Sequence, residues 1–279
     1  MIEVSRSIPV NEPGQPTLTR ADVWQGLVMK ANNALPFVPA MTHCEVTERI
    51  DENTLVREIE FRGERCHERV TLTPQSNVLF ERLDGSILGS INNDIEEGED
   101  GLDLRFSFSL SLVGEEDGSP AEVEYGNIVE KDYLRAVDAT LSAIRKLKTQ
   151  RNELITRYYE TVDSMDLPAF KDMHTDDATV TFANFPAAEG KDAIAGAIGQ
   201  FWSTIKGLSH SIKGRWDTAN ETVLEVAVDY ERLDGNHVVL PCVSILEPSS
   251  DGQKVKGLRI FIDVGPIYAD AEASAEAVG

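Results

Sequence analysis

Between Cys44 and Val113 apolar and polar residues alternate through the runs TLVREIEFRG, ERCHERVTLTP, NVLFERLDGS, ILGSINNDI and GLDLRFSFSLSLVG, with turn residues between them. A period of two buries one face of a strand and leaves the other in water, so this block is predicted to be an antiparallel meander that needs an apolar cover. A cover of a different period follows. From Pro120 to Lys148 the residues Tyr133, Val137, Leu141 and Ile144 recur every three or four positions, one stripe along a long helix. A shorter helix precedes the meander: Thr19 with Asp22 three residues on forms a capping-box pattern, Trp24, Leu27 and Val28 follow at helical spacing, and Asn32, Asn33 and Pro36 end it.

After Lys148 the alternation of periods begins again. Leu154, Ile155, Tyr158, Tyr159 and Val162 predict a helix, 166–174 a second, 178–182 a strand and 190–203 a third helix. Strands are predicted at 210–217, 222–233, 237–246 and 255–264, with Asp234-Gly235 as a hairpin turn. At 279 residues this is two ordinary domains, 1–148 and 149–279, and the join at 149–152, without Pro or Gly, predicts one helix meeting another. Residues 269–279 read as a frayed acidic tail.

Charge narrows the partners. There are 15 basic against 27 acidic residues up to Lys148 and 11 against 21 after it, for a net −22. A surface this negative repels phosphates and anionic lipid heads, which excludes nucleic acid and membranes as expected partners. No run approaches a membrane span or a signal peptide, so a cytoplasmic protein is expected. Cys44, Cys66 and Cys242 have no C-x-x-C spacing and are expected as reduced thiols; His43-Cys44 and Cys66-His67 can each offer only one ligand to a common site, which argues against zinc.

SIPVNEP, VREIEF, HERVTL, INNDI and DGLDLRFSF, through Arg57, Glu58, Phe61, Glu68 and Asn92 or Asn93, resemble the AtaL-like branch of the START/SRPBCC superfamily over about residues 1–148. That implies a helix-grip, a curved sheet wrapped on the C-terminal helix over an apolar cavity. Residues 151–279 resemble SnoaL-like members of the nuclear-transport-factor-2-like superfamily through Tyr158-Tyr159, MHTDDATVTF, GKDAI and GLRIFIDVGPIY. The implied fold class is therefore α+β, a helix-grip domain followed by a cone-shaped α+β barrel whose pocket serves cyclases, ketosteroid isomerases, epoxide hydrolases and non-catalytic binders.

Alternation puts Glu225, Ala227 and Asp229 on one strand face and Leu224, Val226 and Val228 on the other; likewise Arg259, Phe261 and Asp263 oppose Leu258, Ile260 and Ile262. The polar set is expected to face the cavity. There the SnoaL-like resemblance implies Asp263 as acid or base, its pKa raised by an apolar surround, with Asp229 as a second carboxyl. The epoxide-hydrolase pattern carries an arginine two residues before that aspartate, where this chain has Ala227, which makes that reaction the lesser alternative. Tyr158 or Tyr159 is expected to donate to a developing enolate oxygen, as in the ketosteroid isomerases, one of the two facing the cavity. His210 and Trp216 share a predicted face with Ile212, and with Phe182, Trp202 and Arg259 they complete the substrate-binding set. In the first domain Arg57 faces inward as a cation for a ligand carboxylate or enol, or as the partner of Glu68 or Glu81. His174 and His237 flank turns and are expected in solvent.

No nucleophile paired with a base, no glycine-rich phosphate loop and no H-E-x-x-H occurs, so chemistry without a cofactor is expected. The competing readings are an acid/base cyclase or isomerase acting on a small apolar carbonyl compound, a carrier for an apolar metabolite, and a first domain that only covers the second. The apolar face of Leu224, Val226, Val228, Ile260 and Ile262 needs a cover, from the first domain or from a second copy in a homodimer.

Overall fold

The structure is a computed structural model that describes residues 1–99, 101–218 and 220–269; the side chain of Tyr133 and residues 270–279, which hold nearly all of the acidic tail, lie outside the described residues. The chain divides into two compact units, Met1–Lys148 and Thr149–Gly279.

The first unit runs β1 (Ile2–Pro9), α1 (Arg20–Asn32), β2 (Met41–Arg49), β3 (Thr54–Phe61), β4 (Glu64–Thr73), β5 (Asn77–Arg82), β6 (Ile87–Gly98) and β7 (Gly101–Leu112), then enters α2 (Pro120–Asp163). The strands form one antiparallel sheet in the order β1-β7-β6-β5-β4-β3-β2. The capping box forms as predicted: the Asp22 N–H donates to Thr19 Oγ1 at 3.2 Å and the Thr19 N–H donates to Asp22 Oδ2 at 2.7 Å. Leu55, Val70, Phe80, Ile91 and Phe108 stand opposite one another on successive strands, so the period-two pattern becomes a continuous apolar row across the sheet. Against this inner face pack Val23, Leu27 and Ala31 of α1 and Val137, Leu141 and Ile144 of α2, which is the helix-grip. Each of these valine, leucine and isoleucine side chains stabilises the fold by about 1.5–3 kcal/mol on full burial.

The two helices meet at Gly26. A Cβ there would lie 2.2 Å from Ile144 Cγ1 and 2.5 Å from its Cδ1. Gly26→Ala is therefore expected to destabilise the unit by about 1–3 kcal/mol through overpacking, although alanine gains up to ~1 kcal/mol in helix propensity. Chemical denaturation monitored through Trp24, on the same helix, measures it, and a stabilised variant would refute the close contact.

α2 does not break at 149–152 as predicted. None of those residues is glycine or proline, and without a stop signal the ladder of backbone hydrogen bonds continues through all 44 residues. Among the described residues no helix is long and apolar enough to cross a membrane.

The second unit takes the end of α2, then α3 (Leu167–Asp172), β8 (His174–Phe182), β9 (Ala188–Glu189), α4 (Lys191–Trp202), β10 (Ile205–Asp217), β11 (Thr222–Arg232), β12 (His237–Pro248), β13 (Val255–Phe261) and α5 (Gly265–Tyr268). The sheet order is β10-β11-β12-β13-β8-β9, antiparallel except for β13 against β8. Leu154, Ile155 and Tyr158 of α2, Phe170 of α3 and Ile194, Ile198 and Trp202 of α4 pack on its inner face, closing the cone.

The inner face is the opposite of the one expected. Leu224, Val226, Val228 and Leu258 are buried inside, while Glu225 and Arg259 stand outside. Burying those aliphatic side chains gains several kcal/mol, whereas turning carboxylates inward would cost their hydration. The apolar face thought to need a second domain or a second copy is thus covered by the unit's own helices.

Candidate active site

Four elements converge inside the cone. The inward face of α2 brings Tyr158, Tyr159 and Val162; β10 brings His210; β11 and β12 bring Tyr230, Cys242 and Ser244. Together with Phe182, Phe201 and Trp202 they line a pocket of about 470 Å³, its open mouth included. Both tyrosines line it, although one was expected only to pack: their rings meet edge to face, 5.7 Å between centroids, and Tyr158 also lies against Phe170 and His174.

The ionisable centre of the pocket is His210, expected there as a substrate-binding residue, bonded to Asp163, which was not among the expected residues. Asp163, the last residue of α2, holds His210 twice: the His210 backbone N–H donates to Oδ2 at 3.2 Å, and Nδ1 lies 2.5 Å from Oδ1. A carboxylate there accepts a hydrogen bond, which assigns the hydrogen to Nδ1 and leaves the lone pair on Nε2. Burial pushes the His210 pKa down and Asp163 pulls it up; burial prevails, so it lies below the usual 6.5 and the ring is neutral at pH 7. Tyr159 stacks obliquely on that ring, 4.8 Å between centroids. Its hydroxyl bonds Ser244, and burial pushes its pKa up to about 12, so it remains a proton donor. Burial also raises the Cys242 thiol, which makes it inert.

The sign of the His210 shift gives a direct test. Followed by NMR at its ring carbon proton, His210 is expected to titrate below 6.5, and lower still in Asp163→Asn, which removes the group that raises it. A midpoint above 6.5 would contradict a buried, neutral ring.

The other expected residues separate into two groups. Phe182 and Trp202 line the pocket. Asp229, Asp263, Arg259 and Trp216 do not. Asp229 is on the outer face, 2.9 Å from Nδ1 of His237. Asp263 lies beyond the end of β13, exposed, and accepts the Gly265 N–H at 2.9 Å. Arg259 pairs with Glu221 at 2.6 Å. Trp216 is 57% exposed because a bulge between Ile212 and Gly214 inserts one residue into β10 and reverses the facing beyond it. With Asp229 outside, the pair of carboxyls required by the epoxide-hydrolase pattern is not assembled.

His174, expected in solvent, is wholly buried: its Nδ1 donates to the Phe170 carbonyl at 2.8 Å and burial holds its pKa below 6.5. A second, more open compartment of about 1000 Å³, mouth included, lies beside the pocket and shares Phe182, Ile198 and Phe201 with it; Phe185, Pro186 and Tyr268 make its outer wall apolar.

In the first unit Arg57 is committed to structure. Its Nε and Nη2 donate to Glu68 Oε2 at 2.9 and 2.7 Å, and Nη1 donates to the carbonyls of Lys30 and Ala31 at 2.8 and 3.0 Å. It therefore caps the C-terminal end of α1 instead of awaiting a ligand. Cys44, Cys66 and Cys242 are free thiols, and no metal-binding cluster occurs among the described residues.

Residues 4–151 match the family model AtaL, described as acetylaranotin biosynthesis cluster protein L, and residues 155–256 match the SnoaL-like domain. No curated protein matches the chain. Solved structures similar to it include a putative SnoaL-like polyketide cyclase from Shewanella denitrificans (11% identity, 40% of this chain and 90% of that one, TM-score 0.37). A ketosteroid-isomerase-like protein from Catenulispora acidiphila, in complex with trimethylamine, matches at 12% identity, 43% and 92% coverage and TM-score 0.39. A LEH-like epoxide hydrolase from M. tuberculosis matches at 14%, 47% and 95%, and 0.38.

Proposed function

Because this chain belongs to the AtaL family and carries a SnoaL-like domain behind the family's own, we propose that its C-terminal pocket moves protons on a small apolar carbonyl compound, in an isomerisation or cyclisation. The observation that carries this reading is His210, which lines a cavity walled mostly by aromatic and aliphatic side chains and is bonded to Asp163. Neutral His210 takes a proton from carbon through Nε2; the imidazolium that forms is stabilised by Asp163, and the same nitrogen returns the proton at the new position. Tyr159, held protonated, donates to the oxygen on which negative charge develops. The apolar compartment behind Phe182 and Phe201 accommodates the hydrocarbon body of the substrate. Each step uses the chain's own acid and base, and none calls for a cofactor.

Exchange of α-protons in D2O, followed by NMR on 2-tetralone and a set of 1,3-diketones, tests the reading. Protein-dependent exchange that disappears in His210→Gln supports it. Saturable binding of every ketone with no exchange above buffer identifies a carrier instead.

We place the expected homodimer contact on the outer face of the same sheet, where Val243 of β12 stands opposite Phe261 of β13 and Phe261 is 57% exposed. Phe261→Glu is expected to convert a dimer to a monomer in light scattering; a dimer that persists would move the contact elsewhere.

A further inference from the structure

The first unit encloses its own cavity, about 570 Å³ with its mouth, walled by Phe61, Phe80, Ile91 and Phe106. Lys30, near the end of α1, enters it and is buried. Its Nζ donates to Asn93 Oδ1 at 2.9 Å and lies 5.0 and 5.9 Å from the ring centroids of Phe106 and Phe80. Asn93 is itself wholly buried, lines the same cavity, and its Nδ2 has no hydrogen-bond partner among the described residues. A buried amide donor left without a partner is unfavourable unless an acceptor reaches it.

The charged groups facing the amine come from four elements. Arg57 on β3 and Glu68 on β4 pair with each other, Arg82 on β5 lies 3.8 Å from Glu68, and Asp132 on α2 pairs with Arg62. Among the described residues no carboxylate is hydrogen-bonded to Lys30, and its partner is the neutral Asn93 amide.

We infer that Lys30 is a nucleophilic amine, which forms a reversible imine with a small apolar aldehyde or ketone whose carbonyl oxygen accepts from Asn93 Nδ2. The lone pair of Nζ attacks the carbonyl carbon and a C–N bond forms as the C=O π pair moves to oxygen. Protons pass from nitrogen to that oxygen and water leaves, so amine and carbonyl give imine and water with no oxidant or reductant. The rings of Phe80 and Phe106 shield the amine from bulk water. Desolvation first, then repulsion from Arg57, lowers the Lys30 pKa to about 7 against the opposing pull of Glu68, which provides neutral amine at physiological pH. This chemistry requires nothing from the pocket of the second unit.

Reductive trapping tests it on the intact protein. With benzaldehyde and sodium cyanoborohydride at pH 7, peptide mapping is expected to show Lys30 benzylated at least about ten-fold faster than the average of the other lysines, because about half of a group titrating near 7 is neutral there, against roughly one in a thousand of ordinary lysines. The preference is expected to vanish in concentrated urea, and Asn93→Ala to slow the Lys30 reaction about ten-fold, as for loss of one hydrogen bond to the reacting oxygen. Lys30→Arg controls the peptide assignment; the reading itself is made on the wild-type protein. A folded protein in which Lys30 reacts no faster than the other lysines, or an unchanged rate in Asn93→Ala, overturns the inference.

Discussion

His210→Gln is expected to lower the rate of ketone proton exchange by about 10²–10⁴-fold, the usual contribution of a positioned general base. Glutamine keeps the size and can still donate to Asp163, but has no lone pair basic enough to accept a proton from carbon. The unfolding transition is expected to shift little, since a neutral hydrogen-bonding group replaces another at a half-buried position. Asp163→Asn is the more discriminating variant. Its amide can donate as well as accept, so Nδ1 becomes free to act as an acceptor and the proton moves to Nε2, the nitrogen needed as base. Exchange is then expected to fall by about 10²-fold or more, with the tautomer change visible in imidazole nitrogen shifts. A purely structural Asp163 would give lost stability without that change. Because the two residues act as one device, the double variant is expected to be scarcely slower than His210→Gln alone. Additive losses would separate them.

Glu68→Ala is expected to destabilise the first unit by about 3–5 kcal/mol, the cost of removing one member of a buried ion pair. The reason lies in what remains. Arg57 is 2% exposed and would keep only its bonds to the α1 carbonyls, with two guanidinium nitrogens left in an apolar surround beside the Phe80 ring, 4.7 Å from the guanidinium carbon. Lys30 would lose the one group that raises its pKa and would titrate lower still. Replacing both partners at once, Arg57→Met with Glu68→Leu, is expected to cost much less, since no charge is then stranded. Hydrogen exchange of amides in β3, β4 and β5 measures the unit by itself, which matters because a chain of two units need not unfold in one step. A Glu68→Ala cost under about 1 kcal/mol would show that water reaches the pair.

Several features of the fold were legible because they are local. The capping box needs only Thr19 and Asp22, the meander needs alternation and turn residues, and the α2 stripe needs three- and four-residue spacing; each is a short-range stereochemical preference. Phe182, Trp202, Tyr158 and Tyr159 were found in the pocket because large apolar rings go inward whichever partner they meet. Where the chain continued instead of breaking, at 149–152, the absence of glycine and proline was the available signal.

The candidate site was legible only in part. Alternation shows that Leu224, Val226 and Val228 share a face, yet it is silent on which face is inside, and an expectation of polar pocket residues selected the wrong one. One inserted residue in β10 was enough to turn Trp216 outward, and a bulge leaves no mark on composition. Nothing in the spacing of residues 20–32 singles out Lys30, because its burial depends on the sheet it packs against.

By itself, then, the sequence determined periodicity, caps and turns, and hence two α+β units with an apolar interior in each, because those follow from contacts a few residues apart. The tertiary structure decided which polar groups those interiors would hold. His210 and Asp163 are 47 residues apart and Lys30 and Asn93 are 63 apart. Their meeting depends on how a curved sheet closes over its helices, where burial free energy summed over many side chains outweighs the hydration of a few polar ones.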